Sequence, residues 1–192
     1  MLMKANKAML AYIGTKPGTN NHHDRDSDSW FTPTFYTDLV HEVMGGIDLD
    51  PFSSKKANAH VRAKRYFDVE SNAFKKVWFR KPGRVFMNPP YSRKLIEASI
   101  EIFLENWNNN SISEAIVLVN NATETKWFQS LLRTSNSICL PEKRISFKAV
   151  DGKHVSGNTR GQVFLYFGQQ YSKFEKVFKR IGVVLKPMCK RN

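Results

Sequence analysis

The sequence predicts an α/β fold with one open sheet, mostly parallel, that carries an antiparallel hairpin at its edge. Segments with helical periodicity alternate with short, apolar, strand-like segments through most of the chain. The continuous apolar run EAIVLVNN is typical of a strand that is buried on both faces of a sheet. Later in the chain, RISFKAV and GQVFLYFG read as two successive strands joined by a basic loop, and these indicate the hairpin.

The first helix is predicted in FTPTFYTDLVHEVMGG, with Thr32 as its N-cap, Pro33 at its first helical position and the glycine pair at its end. The segment IDLDP predicts a short strand that ends at Asp50, because Pro51 cannot continue a central ladder. The segment KKANAHVRAKRYF then has the pattern of a basic helix that leads into another short strand.

A strand over Arg84–Met87 follows and runs into the turn NPPY. The segment SRKLIEASIEIFLENW is strongly amphipathic and predicts a helix. The strand EAIVLVNN, a helix in ATETKWFQSLLR and the strand NSICL come next. Beyond the predicted hairpin, YSKFEKVFKRIG predicts a final helix with its apolar side chains turned inward.

Charge and composition restrict the function. The chain of 192 residues carries 30 Lys and Arg against 17 Asp and Glu, a net charge of +13, which favours nucleic acid as a partner. No apolar run approaches the ~18–20 residues of a membrane span, and MLMKANKAML lacks the features of a signal peptide. Cys139 and Cys189 form neither a disulfide framework nor a metal-ligand spacing. We therefore expect a soluble, cytoplasmic protein without a metal site.

The turn NPPY is the most informative motif, since ligands bind at the carboxyl ends of strands in such sheets. Asn88 offers a side-chain acceptor beside the carbonyl of Pro89, whose direction is fixed because Pro90 follows it. Tyr91 adds a flat aromatic face. Two acceptors and an aromatic ring fit a planar group that carries an amino donor, as in a nucleobase flipped out of its stack.

In this context NPPY resembles the signature of amino-group methyltransferases that use S-adenosylmethionine. The chain is most similar to the small, phage-type, Dam-like DNA N6-adenine methyltransferases, over about residues 30–167. The shared elements are W-x-T-P (Trp30, Thr32, Pro33), L-D-P with a following Asn (Leu49, Asp50, Pro51, Asn58), R-Y-F (Arg65, Tyr66, Phe67), Trp78, NPPY with Ser92, a stretch like T-x-W-F (Thr125, Trp127, Phe128) and R-I-x-F (Arg144, Ile145, Phe147). The Gly-rich loop of many other methyltransferases is replaced by DPFSS.

The polar, patternless composition of residues 1–29 predicts a flexible arm, and a basic tail is expected over 187–192. The resemblance implies a Rossmann-like methyltransferase domain over 30–186. It implies a site-specific enzyme, encoded by a phage or another mobile element, that methylates a flipped adenine of double-stranded DNA in restriction–modification or in regulation. The catalytic residues that it implies are Asn88, Pro89, Pro90 and Tyr91. The residues that it implies for binding S-adenosylmethionine are Trp30, Thr32, Pro33, Asp50, Pro51, Phe52, Asn58, Asp68 and Asn88.

Several of these cofactor assignments also have a physical basis. Free N–H groups at the start of the first helix attract a carboxylate. Asp50, at a strand end, can meet an ammonium group, with Asp48 as its rival by position. Asp68 follows the next strand and could hold ribose hydroxyls, a role that Glu70 could take in its place. Phe52 could line an adenine pocket, although such a side chain is more often core.

Contacts with DNA are expected from basic side chains near the predicted site, namely Arg93, Lys94, Arg144, Lys148, Lys153 and Arg160, with Lys55 and Lys56 as further candidates. Two alternatives stay open at this point. One is an amino methyltransferase that acts on RNA or on a protein glutamine, and the other is a catalytically idle nucleic-acid-binding protein. A monomer and a homodimer are both compatible with the sequence.

Overall fold

The computed structural model describes residues 31–147 and 160–187 of the chain. Within these residues, seven strands form one sheet in the order β2-β1-β3-β4-β6-β5-β7, and five helices cover it. The strands are β1 (Leu49–Asp50), β2 (Arg65–Tyr66), β3 (Gly83–Met87), β4 (Ile112–Asn120), β5 (Ser137–Pro141), β6 (Gln162–Phe167) and β7 (Gly182–Leu185). The helices are α1 (Thr34–Met44), α2 (Lys55–Val61), α3 (Arg93–Asn108), α4 (Lys126–Thr134) and α5 (Tyr171–Phe178).

The core lies on both faces of the sheet, because successive side chains of β4 point to opposite sides. Ala115, Val117 and Val119 join the apolar side chains of α3 and α4 on one face. Ile116 and Leu118 join those of α1, α2 and α5 on the other. The continuous apolar run in β4 therefore reflects burial between two helical layers, as the sequence predicts, and the fold is α/β.

The first helix begins one residue later than predicted, at Thr34. Pro33 is its N-cap residue, and no side chain caps the helix, so Thr32 is not the cap. The buried hydroxyl of Thr32 instead accepts a hydrogen bond from the side chain of Asn88, 56 positions away. This correction matters because it moves Thr32 from a local role in α1 to a contact with the NPPY turn.

The sheet combines parallel and antiparallel pairings, so the prediction of a mostly parallel sheet is not confirmed. Among the pairings in the described residues, β1–β2, β1–β3 and β3–β4 are parallel, whereas β4–β6, β5–β6 and β5–β7 are antiparallel. β6 lies inside the sheet, between β4 and β5, and all six of its side chains are buried. A strand without a polar face is suited to such an interior place.

The predicted edge hairpin is also wrong where the structure can be compared with it. Arg144–Phe147 contains no strand, and the remainder of that predicted strand, 148–150, lies outside the described residues. The edge is formed by β7, of which the sequence predicts only the first residue, Gly182, within the last helix and assigns the other three to no element. That helix ends at Phe178, and Gly182 begins β7 where a Cβ atom would come within 2.0 Å of the Leu140 carbonyl oxygen.

This topology positions the site. β1, β2, β3 and β4 run in one direction, so their carboxyl ends meet at one edge, where Asp50, Asp68, Asn88 and Asn120 lie at or just beyond the strand ends. None of the helices in the described residues has the length and apolar character needed to cross a membrane. Residues 1–30 and 188–192, which include the predicted arm and most of the predicted tail, lie outside the described residues.

Candidate active site

The NPPY turn leaves β3 at the edge where the parallel strands end. Met87 is level with Val117 of β4, so the turn lies beside the last residues of β4. Pro89 is buried, whereas Asn88, Pro90 and Tyr91 are half-buried. The turn is therefore supported from below by the sheet and presents the Asn88 and Tyr91 side chains at the edge, as the sequence predicts.

The side-chain amide of Asn88 makes two hydrogen bonds. Its nitrogen Nδ2 donates to Thr32 Oγ1 at 3.2 Å, and its oxygen Oδ1 accepts from the Tyr91 hydroxyl at 3.1 Å. Both polar ends of the amide are thus oriented by neighbouring side chains. Among the residues that the structure describes, the partner of Oδ1 is the Tyr91 hydroxyl group.

Tyr91 contributes more than its ring. Its hydroxyl also lies 3.3 Å from the Leu118 carbonyl oxygen of β4, and its ring packs against the core on the face that holds α3 and α4. The hydroxyl has one proton to share between Asn88 and Leu118. The sequence analysis identifies the aromatic face but gives no sign of this hydroxyl contact, since Leu118 participates through its backbone.

Asp48 and Asp50 have opposite surroundings, which separates the two candidates for the ammonium-binding acid. Asp48 accepts from Arg84 Nε at 2.8 Å and lies 2.9 Å from Lys64 Nζ. The Arg84 guanidinium holds the pKa of Asp48 well below its usual range. Asp48 is therefore already neutralised by cations of the chain.

Asp50, in contrast, has no cationic side chain beside it among the described residues. It is 3 % exposed, and burial raises the pKa of Asp50 to about 7. Its Oδ1 accepts a hydrogen bond from the backbone N–H of Phe52 at 3.3 Å. The buried hydroxyl of Ser53, three residues along the chain, lies beside this carboxyl and acts against the effect of burial on its pKa. A buried carboxyl group without a cation beside it suits a ligand with a charged donor.

Backbone hydrogen bonds join the segment after β1 to the segment after β2, just beyond the ends of the two strands. Phe67 N–H donates to the Asp50 carbonyl at 3.0 Å, and Ser53 N–H donates to the Phe67 carbonyl at 2.8 Å. Asp68 follows at once and accepts from the Ser71 backbone and hydroxyl, which lowers the pKa of Asp68. Asp68 thus begins an ordered turn directly after Phe67, the residue bonded to Asp50, while Glu70 is exposed.

The other cofactor candidates have mixed surroundings. Pro51 is buried, and Phe52 is half-buried against Phe74 and Trp78, so its ring belongs to the core at the border of the site. Asn58 uses both ends of its amide on Ala63, donating to its carbonyl at 3.1 Å and accepting from its N–H at 2.9 Å. These bonds close the turn between α2 and β2, so Asn58 acts within the fold. Trp30 lies outside the described residues.

A second polar group at this edge is one that the sequence analysis misses. Gln162, the first residue of β6, is 5 % exposed and donates to Asn120 Oδ1 at 3.1 Å and to the Arg160 carbonyl at 2.8 Å. Its oxygen accepts from Ile145 N–H at 3.1 Å. The sequence does contain a signal for this group, which is a glutamine at the start of an otherwise apolar strand. It ties the segment around Ile145 to the end of β4.

The basic residues predicted to contact DNA lie on different elements near this edge, and two of them lie outside the described residues. Arg93 and Lys94 are the first residues of α3, one residue beyond NPPY, and Lys55 and Lys56 are exposed at the start of α2. Arg144 and Arg160 are exposed near Gln162. Lys148 and Lys153 lie outside the described residues. Within the described ranges, no three His, Cys, Asp or Glu side chains are grouped so that they could hold a metal ion.

Comparison with known proteins shows similarity to DNA adenine methyltransferases. A family model described as DNA N-6-adenine-methyltransferase (Dam) matches residues 19–189 of the chain. A curated relative, the DNA N-6-adenine-methyltransferase of Escherichia phage T1, is 26% identical over 162 residues, which cover 76% of the present chain. The match covers 64% of that relative's length.

Proposed function

The chain belongs to the Dam family of DNA N-6-adenine-methyltransferases, and from that premise we propose that it transfers a methyl group from S-adenosylmethionine to the N6 amino group of adenine in double-stranded DNA. The observation that supports this most directly is that Asn88 and the NPPY turn lie at the same edge of the sheet as Asp50, which is buried without a cation of the described residues beside it. We place the methyltransferase domain at residues 30–186 and propose that the enzyme is site-specific.

The residues at the ends of β1 and β2 fit the cofactor. S-adenosylmethionine supplies an electrophilic methyl group on a sulfonium centre. Asp50 would bind its ammonium group, because this carboxyl is buried with no cation of the described chain beside it. The buried Ser53 hydroxyl offers a second polar atom beside this carboxyl, and Asp68 lies in the next turn, where an acid can hold ribose hydroxyls. Asp48 is excluded from this role by its bonds to Arg84.

The NPPY turn would bind the target amino group. Asn88 Oδ1 and the Pro89 carbonyl oxygen accept its two N–H hydrogens, which draws the nitrogen lone pair out of conjugation with the ring and directs it outward. Stacking on Tyr91 compensates in part for extruding the base from the duplex. The amino nitrogen would bond to the methyl carbon as the methyl–sulfur bond breaks and the sulfur leaves as a neutral thioether, and it would then lose a proton to water. Catalysis thus rests on orientation and electrostatics.

The proposal is tested by methyl transfer to defined substrates. Purified protein is incubated with S-adenosylmethionine labelled in the methyl group, and with duplex DNA, the same duplex in which every adenine–thymine pair is replaced, RNA or a glutamine-containing protein. We expect label in the adenine-containing duplex and N6-methyladenine on digestion, restricted to particular sequence positions. Label in RNA or protein alone would indicate that the site methylates an amino group of that substrate and not DNA adenine. Cofactor binding without transfer to any of them would indicate an idle site.

Tyr91→Ala is expected to raise KM for DNA about 10- to 100-fold, since stacking on one aromatic ring contributes ~1–3 kcal/mol per base. Tyr91→Phe keeps the ring and should stay within a few-fold of wild type. Steady-state kinetics with varied duplex concentration measures the difference. Tyr171→Ala, which removes an exposed tyrosine from α5, is the matched control. Equal damage from Tyr91→Phe and Tyr91→Ala would show that the hydroxyl, not the ring, carries the effect.

A further inference from the structure

The orientation of the Asn88 amide is a chemical requirement of the proposed reaction. A carboxamide has nearly the same shape when it is turned by 180°, but the turn exchanges an acceptor for two donors. If the nitrogen faced the target amino group, donor would meet donor and the lone pair would not be released. The hydrogen bonds of Asn88 therefore decide whether the site is competent.

The two bonds of Asn88 differ in what the substrate does to them. The Tyr91 hydroxyl bonds to Oδ1, the same atom that the target amino group needs as its acceptor. Binding of a base therefore competes with this bond, and the Leu118 carbonyl is at hand to accept from the displaced hydroxyl. The bond from Nδ2 to Thr32 Oγ1 lies at the other end of the amide and is compatible with bound substrate.

The position of Thr32 allows it to keep its hydrogen bond to Asn88 while a substrate binds and reacts. The residue is 4 % exposed and precedes the rigid Pro33 at the start of α1. That helix is fixed to the end of α2 by Thr37, whose hydroxyl donates to the His60 carbonyl at 2.9 Å, and by His41, whose Nε2 lies 2.8 Å from the Val61 carbonyl oxygen. The Thr32 hydroxyl thus belongs to a supported element and not to a free loop.

We propose that Thr32 is a positioning residue for the methyl-transfer step: its hydroxyl holds Asn88 Nδ2, so that Asn88 Oδ1 keeps facing the target amino group after Tyr91 has released it. The inference rests on the proposed function and deepens it. It also gives Thr32 a role different from cofactor binding, because the effect is exerted through Asn88 and not on S-adenosylmethionine.

The test compares Thr32→Val, which keeps the shape and removes the hydroxyl, with Thr32→Ser, which keeps the hydroxyl. We expect Thr32→Val to lower kcat about tenfold or more, as the loss of one oriented hydrogen bond would. KM for duplex DNA and the Kd for S-adenosylmethionine, measured by calorimetry, should change less than threefold. Thr32→Ser should restore kcat to within threefold of wild type. Thr134→Val, which removes a hydroxyl bonded to the Ser130 carbonyl in α4, is the matched control and should behave as wild type.

Each other outcome contradicts a definite part of the argument. Wild-type kcat in Thr32→Val, or a weaker Kd for S-adenosylmethionine with unchanged kcat at saturating cofactor, overturns the positioning role. A loss of kcat in Thr32→Ser as large as in Thr32→Val overturns it as well. Thr32→Ala serves as a second hydroxyl-free variant, and thermal unfolding checks that each variant is folded. Absence of methylation by the wild-type protein overturns the proposed function itself, which this comparison detects separately.

Discussion

Asn88→Ala is expected to lower kcat for DNA methylation by at least about 10²–10³-fold, the usual effect of removing one preorganised hydrogen-bonding group from a transition state. The alanine removes the acceptor Oδ1 and leaves only the Pro89 carbonyl to orient the amino group. Binding of S-adenosylmethionine should persist, since the proposed ammonium-binding acid, Asp50, is on β1. Single-turnover transfer of a labelled methyl group measures the first effect, and calorimetry measures the second.

The matched control is Asn106→Ala on α3, where the amide only donates to the Ile102 carbonyl of the same helix. This variant should keep wild-type kcat. Near-normal methylation by Asn88→Ala would remove Asn88 from the reaction and would move the acceptor role to another group. A parallel loss of cofactor binding would instead indicate that the alanine disturbs the whole edge of the sheet.

Asp50→Asn is expected to weaken S-adenosylmethionine binding about 30-fold or more, because removing one partner of a buried charge pair costs at least ~2 kcal/mol. The wild-type affinity should also depend on pH. Burial raises the pKa of Asp50 to about 7, so the free site is protonated below that pH, whereas the bound ammonium group needs the carboxylate. The measured Kd should therefore rise about tenfold per pH unit as pH falls below 7, and Asp50→Asn should abolish this dependence.

The same shift has a defined sign for stability. In the cofactor-free protein, a pKa raised above its usual value means that the folded state binds more protons than the unfolded state between about pH 4 and 7. The contribution of Asp50 to folding therefore falls as pH rises through this range, and Asp50→Asn should remove that fall. Urea unfolding at pH 5 and pH 8 measures it.

Asp48→Asn is the control for both measurements, being the same chemical change two residues earlier. Asp48 has its pKa lowered by Arg84, so its stabilising effect is present at neutral pH and is lost as pH falls. The variant should be less stable at pH 7 and should bind S-adenosylmethionine with unchanged Kd. Weaker cofactor binding in Asp48→Asn than in Asp50→Asn would reverse the assignment of the two acids.

The local parts of this site are predictable from the sequence. Pro51 stops β1 directly after Asp50, and the apolar run before NPPY places Asn88 at the end of β3, so short-range patterns locate both groups. The bond between Thr32 and Asn88 is not predictable in this way, because it joins residues 56 positions apart. Local pattern instead favours Thr32 as a helix cap, which the structure replaces with Pro33.

The arrangement of the second half of the sheet is also beyond local pattern. GQVFLYFG shows that β6 is buried but not which strands lie beside it, and adjacency in sequence suggested a hairpin partner. β7 has only four residues and begins shortly after a helix, so its three apolar residues are too few to predict a strand by themselves. Alternating burial in β7 becomes visible only when β5 is known to be its neighbour.

The insertion of β6 between β4 and β5 has a consequence for how the chain folds during synthesis. Both neighbours leave the ribosome before β6, and neither pairs with the other in the described structure, so each presents an open edge until residues 162–167 arrive. Because Gln162 is the first residue of β6 and holds Asn120, the edge that carries the candidate site is completed by the same late step. A nascent chain that lacks β6 would therefore expose two apolar strands with open edges, the kind of surface that favours aggregation.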